Sequence, residues 1–139
     1  MSESSRQPWV RVVVVLGVVY SFVGIAFAAP TDHVMVWRLA AWLVSVITYA
    51  AHVCYERFRF RNSPHSAALH VALAVALGAF GLAIGANIHS LSLGSTNEHR
   101  RLLLLALGLW SAITAMPAFL LALGASWVLA RASSSAETK

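Results

Sequence analysis

Four long apolar runs separated by short polar breaks organise the chain. The first extends from about Val10 to Ala29 and stops at Pro30; the second runs from Val34 to Tyr55 and ends at Arg57, Arg59 and Arg61. The third covers Ser66 to Leu93, and the fourth Leu102 to about Ala130 with Pro117 inside it. Each run supplies the roughly 20 mostly apolar residues that a spanning helix needs. The predicted fold is therefore all-α: an integral membrane four-helix bundle with short loops, one domain over residues 1–139. The breaks have matching chemistry. Asn62-Ser63-Pro64 places a proline in the first turn of the third helix, where its missing N–H costs nothing, and Gly94-Ser95-Thr96-Asn97 is loop sequence. The fourth run is longer than a bilayer requires, which predicts tilt, a kink near Pro117 or an end emerging into water. The polar tails, residues 1–7 and 132–139, are expected to be disordered.

Periodicity within the runs predicts how the helices meet. Lipid tails are as apolar as leucine, so helices associate where small residues allow close approach. Helix 1 carries Gly17, Ser21, Gly24 and Ala28 on one stripe. Helix 3 carries Ala74, Gly78, Gly81 and Gly85, and helix 4 carries Ser111, Ala115, Ala118, Ala122 and Ala125. Helix 2 differs. Arg38, Trp42, Ser45, Tyr49, His52 and Glu56 follow one another at steps of four and three, so all six share one narrow strip. Polar groups face lipid only at considerable cost, which predicts that the whole strip points into the bundle. On that expectation Trp42→Ala costs the few kcal/mol of a truncated buried aromatic.

Composition agrees with a membrane setting. Hydrophobic residues make up 59% and charged residues 11%, against about 25% charged in soluble domains. The formal charge of +5 does not signal nucleic acid, because the basic residues sit at the ends of apolar runs without interleaved aromatics. Counted by loop, Arg6, Arg11, Arg57, Arg59, Arg61, Arg131 and Lys139 lie on one side, and Arg38, Arg100 and Arg101 on the other. The positive-inside rule then predicts both termini in the cytoplasm, in a bacterial inner membrane. Arg6, Arg11 and the small-residue string Ala26-Phe27-Ala28 also fit a secretory signal, but the apolar core is longer than the roughly 15 residues a signal carries. Cys54 is the one cysteine, which excludes an internal disulfide and CxxC redox chemistry.

The six histidines carry the remaining chemistry. With short loops, His52 on helix 2 and His70 on helix 3 fall at matched depth near the second loop. Two imidazoles at one depth on facing helices are what axial ligation of a b-type haem requires, with Ala74 and Gly78 leaving room for the macrocycle. The alternative is that the pair bonds to itself, to Tyr49 or to interfacial water. On the far side Asp32, His33, His89, Glu98, His99, Arg100 and Arg101 gather near the loops, without the short spacings of a metal site, so no metal is expected there.

Catalytic motifs are absent: there is no HExxH, no acidic metal pair and no recognisable nucleophile serine. Small four-helix drug exporters are similar in length and topology. The resemblance stops at helix 1, which has no charged residue between Val12 and Ala29 to exchange protons for cations. The leading expectation is a non-catalytic membrane protein: an accessory or assembly subunit, or a small-ligand-binding protein, in contact with the bilayer and with a second copy or a larger complex. The alternative is a haem b or quinone-linked electron carrier ligated by His52 and His70, with Tyr49 and Arg38 as neighbours. A small transporter using the helix 2 strip ranks third.

Overall fold

The computed structural model describes residues 8–28, 32–92 and 97–136. It contains four helices: α1 Pro8–Ala28, α2 Val34–Phe58, α3 Pro64–Ser92 and α4 Asn97–Ala136. Each has a stretch long and apolar enough to cross a membrane, from 19 residues in α1 to 32 in α4. The all-α bundle predicted from the apolar runs is thus present, with boundaries close to those expected. Pro64 opens α3, where its fixed φ suits the first turn and Ser63 Oγ accepts from Ser66 N at 3.3 Å. α4 begins earlier and ends later than the apolar run. Residues 132–136, expected to be disordered, continue the helix, because no glycine or proline stops it and alanine favours it. Residues 1–7, 93–96 and 137–139, which hold the other tail and loop expectations, lie outside the described residues.

α3 is the centre of the bundle, and half of its spanning window is buried. α1 and α4 pack along it, while α2 joins mainly through its C-terminal half. Small residues explain the α1–α3 contact. A Cβ on Gly17 would lie 2.7 Å from Leu77 Cβ, and one on Gly78 would lie 2.5 Å from Tyr20 Cβ. One on Gly81 would collide with Ser21 Oγ. Ser21 Oγ also donates to the Gly78 carbonyl at 3.1 Å, so the two backbones meet at the distance the seam predicts. On α4, Ala118 and Ala122 are buried as expected, but the seam continues to buried Ser126 while Ala125 is exposed. Successive steps of four advance about 40° past a full turn each, so the buried line from Ala118 through Ala122 to Ser126 drifts around α4 away from the alternating four-three stripe.

Where α2, α3 and α4 converge, Val53, Ala68, Val71 and Ala122 form a small core, with Tyr49, Phe119, Leu123 and Leu129 packed around it. The α2–α3 loop turns sharply here. Arg61 adopts a left-handed φ of 51°, a conformation non-glycine residues rarely hold without tertiary support.

Candidate interior polar site

Of the five acidic residues in the chain, Glu56 is the one found within a helix stretch long and apolar enough to cross a membrane, among the described residues. It is fully buried, and it is a hub. Its Oε2 accepts from Asn62 Nδ2 at 2.6 Å and meets His70 Nδ1 at 3.0 Å. Its Oε1 faces His52 Nε2 at 3.7 Å, one helical turn back along α2. The spacing of four residues sets the His52–Glu56 approach, and the antiparallel turn into α3 delivers His70 from the other side.

Neighbouring groups fix the three side chains. Trp9, in the first turns of α1, stacks on the His70 ring with centroids 4.6 Å apart and planes 5° from parallel. The loop closes over Glu56: Asn62 N donates to the Glu56 carbonyl at 3.4 Å, and an Arg57 guanidinium nitrogen donates to the Asn62 carbonyl at 2.7 Å. These contacts hold Arg61 in its left-handed turn. The carboxylate is therefore pinned from α2, from the loop and from α3.

Several polar atoms in this interior are buried without a hydrogen-bond partner among the described residues. They are both ring nitrogens of His52, Glu56 Oε1, Tyr20 Oη and Ser126 Oγ. Ser126 lies two turns beyond Ala118, whose carbonyl accepts from Tyr49 Oη at 2.5 Å. Since α2 and α4 run in the same direction, Ser126 falls near the depth of Glu56. Each helix thus contributes a buried polar group to the inner part of the bundle: Tyr20, the His52–Glu56 pair, His70 and Ser126.

The expected strip on α2 divides. Tyr49, His52 and Glu56 turn inward as predicted, and Ser45 is half-buried. Arg38 and Trp42 do not: both are exposed, Trp42 at 73%, and Arg38 makes no hydrogen bond or ion pair among the described residues. With Val34, Met35 and Leu39 they line an open groove of about 420 Å³. The strip is straight, but the outer half of α2 turns a neighbouring face to the bundle: Ala40, Ala41 and Val44 are half-buried, and Trp37 meets Phe27 of α1 at 5.8 Å between centroids. Sequence reasoning brought His52 and His70 together and turned Glu56 inward, but did not join the three through the carboxylate. It also missed Asn62 and Trp9. The signal available for Glu56 was its solitary status among the acids of the apolar runs.

For a haem, the arrangement offers little room. The space that Ala74 and Gly78 promised is filled by α1, which meets Gly78 through Tyr20 and the Gly17 carbonyl and meets Ala74 through Gly17. Between the two imidazoles lies the Glu56 carboxylate. Among the described residues no three His, Cys, Asp or Glu side chains are arranged to hold a metal ion. On the opposite side Asp32 and His33 are exposed, and the side chains of Glu98, His99 and Arg100 lie outside the described residues.

No family model, curated protein or solved structure matches this chain.

Proposed function

We propose that the chain is a non-catalytic integral membrane protein that serves as an accessory or assembly subunit. The observation that carries this is the division of α2. Its inner half is clamped into the bundle at Glu56, while Trp42 and Arg38 on the same strip stand outside it. An arginine and a tryptophan more than one turn into an apolar span gain from a neighbour that supplies acceptors and an aromatic surface, and in a bilayer that neighbour is another helix. The partner is a second copy of this chain or a subunit of a larger complex. The charge distribution of the loops supports both termini in the cytoplasm and residence in a bacterial inner membrane.

A photoreactive amino acid placed at Trp42, in the full chain in its native membrane, tests the assignment. A cross-linked band of one defined mass is expected from position 42. The same probe at Leu104, which is comparably exposed on α4, is expected to label lipid alone. Lipid adducts alone at both positions would refute the subunit role. For the electron-carrier alternative, purified and haem-supplemented protein is expected to show no Soret band. A band lost in both His52→Ala and His70→Ala but kept in His65→Ala would establish that alternative instead.

A further inference from the structure

We propose that His52, Glu56 and His70 form a proton-binding site that exchanges with water from the α2–α3 loop face and is closed towards the opposite face. Net charge provides the first line of support. A carboxylate with two neutral imidazoles leaves one negative charge buried beside a membrane interior, and a carboxylate between two imidazolium rings leaves one positive charge. Either state bears the desolvation penalty of an uncompensated ion. One shared proton makes the triad neutral, whether it resides on an imidazole or on the carboxyl. The geometry allows transfer within the triad, because both rings approach the same carboxylate from opposite oxygens, His70 at 3.0 Å and His52 at 3.7 Å.

The second line is the pair of free positions. Both His52 nitrogens and Glu56 Oε1 are buried without partners, and buried polar atoms are rarely left so unless they take up something that bonds to them. A proton from water at the loop face adds to the unprotonated triad at His52 as an N–H aimed at Oε1, giving a neutral imidazolium–carboxylate–imidazole array and leaving hydroxide or conjugate base outside. No bond other than N–H or O–H is made or broken.

The third line is access. Touching the triad are Trp9 from α1, stacked on His70, and Asn62 from the loop, bonded to Glu56 and held in turn by Arg57. Among the other polar side chains on the packed helices, Tyr20 and Tyr49 are half-buried and Ser126 is buried. His65, Arg59 and Arg61 are exposed at the loop mouth. His70 is the member with residual exposure, 11% of its side chain against 0% for the other two. In the outward direction Tyr20 is the last ionisable side chain of α1 among the described residues, about 16 Å along the helix from Trp9 at 1.5 Å per residue, against a hydrocarbon core of about 30 Å. Beyond it the α1–α3 seam of Gly24, Leu82 and Gly85 offers no ionisable group. The site is a half-path that loads and unloads on one side. It does not depend on the subunit role argued above.

Nitrogen-15 NMR of histidine-labelled full chain in nanodiscs, followed through a pH titration, tests the proposal. His52 and His70 are expected to titrate as a coupled pair whose ring signals share their inflections. The exposed His33 and His65 serve as reference signals outside the triad. In Glu56→Gln the shared inflections should separate into two independent curves, while His33 and His65 stay unchanged. Independent curves for His52 and His70 in the unaltered protein would overturn the proposal, with no variant needed. Coupling that persists in a folded Glu56→Gln chain would overturn the role of Glu56.

Discussion

The two halves of α2 carry one strip of residues and meet opposite fates. In the inner half, Tyr49, His52 and Glu56 turn towards α3 and α4, and Glu56 is tied to His70 and Asn62. In the outer half, Arg38 and Trp42 continue the same strip into the open. Helical periodicity sets which residues share a direction. It does not set what lies in that direction, and here α3 and α4 meet the strip in one half, while the other half meets α1 through a neighbouring face. Close approach of α1 to α3 through glycine brings those two together along much of their length. α2, with its large residues, is drawn in where the short loop and the polar hub hold it.

This contrast can be broken most forcefully at the hub. Glu56→Ala leaves two buried histidines and Asn62 without their shared acceptor. It should lower stability by about 3–5 kcal/mol, the range for removing one member of a buried charged pair, read as a loss of melting temperature in detergent. A change within error would mean that the hub does not clamp α2. Next in size is Gly78→Ala, whose new methyl would meet Tyr20 Cβ at 2.5 Å. Overpacking there should cost about 1–3 kcal/mol and would be seen as earlier unfolding. An unchanged melting curve would show that α1 and α3 can separate freely.

Tyr49→Phe removes the bond to the Ala118 carbonyl, an oxygen that lies within helix α4, so about 1 kcal/mol is expected. The smallest effect belongs to the outer half. Trp42→Ala should leave the stability of the isolated protein within about 0.5 kcal/mol of the starting value, as for other surface positions. It should nonetheless abolish the cross-link formed from neighbouring position 38. A loss of several kcal/mol on this substitution would restore the inward-facing strip that the periodicity suggested.

How much of the site was legible beforehand differs from residue to residue. The convergence of His52 and His70 was readable, since both flank one short loop and antiparallel helices bring such positions to equal depth. The hub role of Glu56 was not. A glutamate three residues before a basic loop is at the interface by sequence position, and its burial depends on Asn62 and the left-handed turn at Arg61 folding over it. Trp9 lies just before the first apolar run as predicted; its stacking on His70 follows from the register of α1 against α3, which the glycines permit without naming.

The sequence by itself determined the number of long apolar helices, the ends of the first three within a few residues and the small-residue seam between α1 and α3. These follow from local properties: run length, the conformational limits of proline and the size of glycine. The tertiary structure alone decided that α3 is central, that the outer half of α2 keeps Arg38 and Trp42 exposed and that a buried carboxylate joins two histidines. Those outcomes depend on competition among helix pairs for the same surfaces. In a bilayer, where apolar faces do not select one another, close packing and a few polar contacts settle it.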